Sequence, residues 1–284
     1  NPCVTGSIPV VATESALQER FFYYFCCMLA TFLEHIEKNN LCKKSDKILL
    51  AVSGGVDSVV MAELFYRAGY QFCMVHCNFM LRGEESNADE KFVKELAAKK
   101  YRTKCFVRRF DTKSLVKESW LTIQEAARDQ RYNYFRELMK KEHFNFVATA
   151  HHADDQIETF FINLLRGTGI SGLSGIPLKH QGTIRPMLFA FRNEIETFAQ
   201  ENDLEYRTDS SNKENKYLRN KIRNKLLPKL EEIVPHYRSA IVTTIGNLKN
   251  TEELYRSLLR ENTIFQKNKK SFNCHAYMPY KSAV

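Results

Sequence analysis

Between Ser53 and Ser58 the chain reads Ser-Gly-Gly-Val-Asp-Ser, two hydroxyls and a carboxylate set around two glycines. Glycine lets the backbone turn tightly and lets a ligand approach the amides. Backbone N–H groups in such a loop, at the start of a helix, make an anion site. The stretch Ser53, Gly54, Gly55, Val56, Asp57, Ser58 therefore reads as a phosphate cradle. An ordinary strand–turn–helix corner would use the glycines, but it has no need of both hydroxyls and the carboxylate. No Gly-x-x-x-x-Gly-Lys-Ser/Thr occurs, so the cradle is not of the Walker type.

A second constellation is "TAHHADDQIE", with His151 and His152 followed by Asp154, Asp155 and Glu158. Separations of three and four residues put Glu158 on the same helix face as both aspartates. Acidic residues in a first turn complement the helix dipole. Three carboxylates directly after two histidines suit a cationic substrate or a metal better. The glycine-rich Arg166–Ile176 that follows reads as a mobile loop over a site. Two further stretches are basic. Arg128 and Arg131 lie three apart in "TIQEAARDQRYNYF", on an ion-paired face or in contact with phosphate. In "YLRNKIRNKLLPKL" the fourfold recurrence of Leu218, Ile222, Leu226 and Leu230 predicts a buried stripe, with Arg219, Lys221, Arg223 and Lys225 crowding the rest.

These residues need elements to position them. Strand-like runs are Lys47–Val52, Gln71–Phe79, Thr103–Phe110 and Phe144–His152. Between and after them lie helix-like runs, Ser58–Ala68, Ser86–Lys100 with Ser86 as its cap, Thr122–Lys141 and Asp154–Arg166. Alternating βα units predict an α/β fold, a doubly wound, mostly parallel sheet, followed by a smaller α-helical region. Ligands in such sheets bind beyond the carboxyl ends of the strands, so Ser53–Ser58, His76–Arg82 and His151–Glu158 should converge on one crevice. The expected organisation is a leader and N-terminal helix over 1–40, a catalytic domain over 41–226, and a helical linker or start of a second domain over 227–284.

Lys and Arg number 42 against 33 Asp and Glu, a net charge of +9 over 284 residues, which favours a polyanionic partner. The eight cysteines form no Cys-x-x-Cys pair, which argues against a zinc ribbon or iron–sulfur site and fits buried free thiols in a reducing compartment. "FFYYFCCMLATFL" (Phe21–Leu33) is too short to span a bilayer and reads as a helix packing on the main domain, so no membrane and a cytoplasmic location are expected.

At Ser53–Ser58 the chain resembles the PP-loop of N-type ATP pyrophosphatases. Over roughly Lys47 to Pro235 it is similar to the tRNA(Ile)-lysidine synthases, on "HCNFMLRGEESNADE", "IQEAARDQRY", "TAHHADDQIETFFINLLRGTGISGLSGI", "IRPML", "YRTDSSN" and "YLRNKIRNKLLPKL", all in order. The resemblance implies that ATP adenylylates the C2 oxygen of the wobble cytidine in the CAU anticodon of an isoleucine tRNA, and that free lysine then attacks C2. AMP and pyrophosphate are released and lysidine is formed. It implies ATP and Mg²⁺ as cofactors, with Asp57 on the metal. Catalytic residues would be Asp57, Asp154, Asp155 and Glu158. The nucleotide would meet Ser53–Ser58, His76, Arg128 and His151, and lysine's ammonium would meet Asp155 and Glu158. The tRNA would meet Arg82, Arg166, Arg185, Asn212, Arg219, Asn220 and Arg223. A homodimer is compatible with the resemblance. One departure stands out: the family's second histidine in the stretch matching "HCNFMLRG" is Phe79 here. Rival readings are another PP-loop enzyme, a tRNA thiolase or an amidotransferase-type synthetase, or a nucleotide- and RNA-binding module without catalysis.

Overall fold

A computed structural model describes residues 28–117, 122–208 and 218–267. They fall into two compact units. One holds the chain up to Gln156 and again from Pro177, and the other holds Ile157–Ile176 and the chain from Asn215.

The first unit contains a six-stranded sheet. β1 (Ile48–Ala51) is central because Ile48, Leu49 and Leu50 are all buried, which only a strand covered on both faces satisfies. It pairs in parallel with β2 (Phe72–Asn78) and β4 (Phe146–Ala148). β3 (Cys105–Arg109) lies parallel outside β2, and β6 (Thr183–Ile184) parallel outside β4. β5 (Lys179–His180) closes the far edge antiparallel, giving the order β3-β2-β1-β4-β6-β5. The doubly wound parallel sheet expected from the βα alternation is thus the sheet observed. The short β5 and β6 carry no run long enough to signal them. β4 is also shorter than its apolar run: residues 149–152 leave the sheet as a loop.

Helices cover both faces, and a short helix α4 (Thr112–Lys117) follows β3. Alternation along β1 sends Leu49 to one face, with Val75 and Val147, against Tyr134, Phe135 and Leu138 of α5 (Ile123–Glu142). Ile48 and Leu50 go to the other, with Met74 and Ala148, against α2 (Val56–Arg67), α3 (Glu84–Glu95) and α8 (Arg192–Glu201). A helix α1 over 28–38 joins that core through Met28, Phe32 and Ile36, and Phe32 meets the Phe65 ring edge-on at 5.2 Å. Each such buried side chain contributes roughly 1.5–3 kcal/mol. The described part of the apolar Phe21–Leu33 run therefore packs as expected, and residues 21–27 lie outside the described residues. Ser86 does not cap α3. Gly83 stands at the cap, while the buried Ser86 hydroxyl in the first turn accepts the Arg82 amide.

The second unit is helical. It takes α6 (Ala153–Leu165) from Ile157 onward, α7 (Ile170–Leu173), α9 (Leu218–Lys221), α10 (Leu227–Ile233) and α11 (Tyr237–Lys267). α7 sits inside the glycine-rich stretch expected to be a loop, packs against α11, and is tied by Asn163, whose amide donates to the Gly172 carbonyl at 2.7 Å. The fourfold leucine stripe needs correction. Ile222–Leu226 forms a π turn between α9 and α10. A π turn advances the buried face by five residues instead of four. Ile222 and Leu227 are therefore buried, whereas Leu218 is 41% exposed.

Candidate active site

The sheet order reverses direction between β1 and β4, the switch point at which α/β sheets bind ligands. The chain leaves β1 into Ser53–Gly55 and enters α2. Gly54 sits at φ +100°, which a side chain rarely tolerates. The Ser58 hydroxyl organises the turn: it accepts the Ser53 and Gly54 amides at 3.2 Å each and donates to the Gly55 carbonyl at 2.8 Å. Ser53 Oγ accepts the Gly55 amide at 3.3 Å. The second hydroxyl of the motif is thus a brace that fixes the loop's shape. Asp57 follows in the first turn of α2, its side chain 24% exposed.

The chain leaves β4 through Thr149 and His151, whose Oγ1 and Nδ1 lie 3.0 Å apart, and reaches His152. His152, which the sequence shows beside His151 but to which it assigns no role, is the buried hub of the site. Its Nε2 lies 3.9 Å from Asp57 and 3.6 Å from Asp155, and its Nδ1 lies 3.6 Å from Asp154. Burial alone would depress the imidazole's pKa. The nearby carboxylates of Asp154, Asp155 and Asp57 outweigh burial and raise it. Asp155 accepts the His152 amide at 3.0 Å, closing the first turn of α6, and Asp154 accepts the Arg192 amide at 2.7 Å. Arg192, also unanticipated, donates Nη1 to Asp57 Oδ2 at 2.6 Å and Nε to Glu196 at 2.7 Å. Sequence spacing offers no route to the Asp57 contact, because 135 residues separate Asp57 from Arg192, whereas Glu196 lies at the ordinary i,i+4 spacing.

From β2, His76 is buried with Nδ1 2.9 Å from the Val52 carbonyl, and burial pushes its pKa down. It braces the β1 exit from beneath as a neutral ring. Asn78 donates to Glu90 at 3.0 Å. Arg82, expected on tRNA, donates to Asp89 at 2.7 Å. Asp89 also pairs with Arg207, whose backbone amide donates to the Gly54 carbonyl at 3.0 Å. Residues beyond α8 are therefore strapped to the phosphate loop. Phe79 stacks on Phe110 at 5.4 Å and carries the Arg131 guanidinium 5.2 Å from its ring, so an aromatic platform replaces a second imidazole. Arg128 lies exposed over Tyr132 at 5.0 Å.

Other expected contacts fall differently. Arg185 is 5% exposed and donates to the Pro177 carbonyl at 2.6 Å, so its guanidinium holds the chain before β5 instead of facing a nucleic acid. In the second unit, Glu158 is buried and receives Arg223 at 2.5 and 3.0 Å and Arg219 at 3.4 Å. Arg166 is exposed and Asn220 half-buried. Asn212 lies outside the described residues. Gly167-Thr168-Gly169-Ile170-Ser171-Gly172 matches the dinucleotide fingerprint letter for letter, but it follows helix α6 where that fingerprint follows a strand.

The loop at the N-terminus of α2 suits phosphates. Asp57 suits Mg²⁺, which is generally held by one or two carboxylates together with phosphate oxygens. Among the described residues no group of three or more His, Cys, Asp or Glu is placed to hold a metal ion.

This fold and loop define a PP-loop domain protein, and the PP-loop domain family matches residues 28–230. A structure of a U34-tRNA thiolase from Methanococcus maripaludis superposes with a TM-score of 0.62 at 18% identity, covering 84% of this chain and 81% of that one, which is a likeness of fold. A tRNA(Ile)-lysidine synthase from Chlorobaculum tepidum is 44% identical over 239 residues, 81% of this chain and 72% of that protein. The synthase of Bacteroides thetaiotaomicron is 41% identical over 229 residues, 81% of this chain and 54% of that protein. The chain belongs to the tRNA(Ile)-lysidine synthase family. It spans about half the length of several curated relatives it matches.

Proposed function

We propose that this chain ligates free lysine to C2 of the wobble cytidine in the CAU anticodon of an isoleucine tRNA. The cytidine C2 oxygen attacks the α-phosphorus of ATP and displaces pyrophosphate. The lysine ε-amine then attacks C2, loses its proton, and AMP departs with the C2 oxygen. Mg²⁺, when bound, would neutralise the phosphates. Ser53–Ser58 would hold the pyrophosphate end, with Asp57 on the metal, and His151 would lie near the α-phosphate. Asp154 and Asp155 would draw the lysine ammonium and accept a proton as the amine becomes nucleophilic. Glu158 would serve the ammonium only by giving up Arg223. The observation that carries the reading is the meeting of the loops after β1 and β4, where His152 touches Asp57, Asp154 and Asp155, in a chain 44% identical to a named lysidine synthase.

The thiolase reading is disfavoured by the thiols. Burial pushes Cys42, Cys77 and Cys105 each up to about 11, far from the thiolate that sulfur chemistry uses. ATP, lysine and tRNA as substrates imply the cytoplasm, and among the described residues no helix is long and apolar enough to cross a membrane. A homodimer belongs to the proposal and is checked by sedimentation. The decisive test incubates the protein with ATP, radiolabelled lysine and anticodon variants of isoleucine tRNA. Label in the CAU tRNA, with AMP and pyrophosphate, is expected. ADP and phosphate, or nucleotide and tRNA binding without AMP, would overturn the proposal.

A further inference from the structure

Arg192 is the first residue of α8, and its position is fixed from behind. Its backbone amide donates to Asp154 at 2.7 Å, and Nε donates to Glu196 at 2.7 Å one turn further along the helix. Only Nη1 reaches forward, to Asp57 Oδ2 at 2.6 Å. The side chain is 38% exposed, so its tip has room to turn while the backbone stays anchored. The carboxylate it holds is the only one in the phosphate loop Ser53–Ser58, and carboxylates are preferred ligands of hard divalent cations.

We infer that Arg192 is the resident counter-ion of Asp57, and that it must release Oδ2 when a divalent cation arrives with the nucleotide. This rests on the reading of Ser53–Ser58 as an ATP loop. The physical reason is competition. A guanidinium at 2.6 Å occupies one of the two lone pairs of Oδ2, and a second cation on the same oxygen would be repelled at short range. Asp57, Asp154 and Asp155 gather around the single imidazole of His152, three carboxylates to one ring, and the Arg192 guanidinium adds a further positive group to that cluster. Arg192 thus contributes positive charge at Asp57, and once displaced its guanidinium is left beside a polyanion that it can pair with. Metal and arginine then exclude one another on Asp57, and the observed metal affinity is reduced by the fraction of molecules in which the pair is closed.

The test is calorimetric and structural, with no turnover. Binding of α,β-methylene ATP, which cannot release pyrophosphate, is measured with excess Mg²⁺ and again with EDTA. The ratio of the two dissociation constants reports what the metal gains on Asp57. In Arg192→Gln this ratio should grow about two- to fivefold, the worth of a partly exposed ion pair that no longer has to open. Asp57→Asn should bring the ratio close to one. In a crystal structure of the wild type with Mg²⁺ and the analogue, Nη1 should lie beyond 4 Å from Oδ2, as an opened ion pair does. A pair still closed with the metal in place overturns the inference, and so does a ratio indifferent to Arg192→Gln. The structural arm needs no variant, so poor folding of Arg192→Gln would not protect the inference. If the wild type fails to bind the analogue at all, the ATP reading falls and takes this inference with it. Binding with an indifferent ratio removes this inference alone.

Discussion

Arg223 forks onto Glu158, Nε to Oε1 at 2.5 Å and Nη2 to Oε2 at 3.0 Å, and the Glu158 side chain is 1% exposed. A buried carboxylate deprived of its partner costs about 1–3 kcal/mol. Arg219 Nε at 3.4 Å offsets only part of that. Arg223→Ala should therefore lower the free energy of unfolding by an amount in that range, seen in a urea melt as an earlier denaturation midpoint. An unchanged midpoint would show that the fork contributes nothing to stability.

The guanidiniums on Glu158 are engaged, but Lys221 and Lys225 are exposed on the same basic segment. Each phosphate a protein neutralises contributes slightly less than one unit to the slope of log affinity against log salt. Lys221→Ala combined with Lys225→Ala should flatten the tRNA salt slope by about one to two units and leave stability within ~0.5 kcal/mol. Filter binding at several salt concentrations reads the slope. No change would return this face to plain solvated surface.

Asp89 holds Arg82 and Arg207, and the Arg207 amide holds the Gly54 carbonyl. Asp89→Asn removes the charge that fixes this strap and keeps the side chain's size. The loop at Gly54 then samples more conformations, so KM for ATP should rise about three- to tenfold while kcat changes less than twofold, in keeping with loss of one charge-assisted hydrogen bond. A purely structural residue would instead lower the active fraction, and hence apparent kcat, at constant KM.

Glu90 is buried and held at about 2, chiefly by its hydrogen bond to Arg109, with Lys94 and Asn78 adding to it against the opposing effect of burial. A depressed carboxylate pKa stabilises the fold fully above its unfolded value near 4.5, and that stabilisation is lost as pH falls toward 2. Wild-type stability should therefore drop on acidification through this window. Glu90→Gln should be less stable at neutral pH, by on the order of 1–2 kcal/mol, and should show a shallower acid limb. Parallel acid limbs in urea melts at pH 3 to 6 would contradict this.

Much of this protein is legible in its sequence because the deciding signals are local. The apolar run through Ile48, Leu49 and Leu50 cannot be anything but a strand covered on both faces. The glycines before Asp57 dictate a tight turn into a helix, and the alternation of such units dictates a parallel sheet with its ligand site at the strand exits. The PP-loop and the carboxylates after β4 follow from that. Where a local rule failed, a local geometry intervened: the π turn at Ile222–Leu226 shifted the buried face from Leu226 to Leu227, and no residue pattern announces such a turn.

What only the tertiary structure decided is which charges meet. Arg192 and Asp57 are 135 residues apart, Arg207 and Asp89 are 118, and Arg223 and Glu158 are 65. One-letter sequence reports each arginine only as a basic residue, and the family resemblance assigns Arg185, Arg82, Arg219 and Arg223 to tRNA. The folded chain places all four within reach of carbonyl or carboxylate oxygens. His152 became the hub over His151 for the same reason, since one residue's shift at the strand exit decides which ring turns inward toward three carboxylates. Coulomb energy depends on distance and burial, and both are properties of the packed chain and not of residue type.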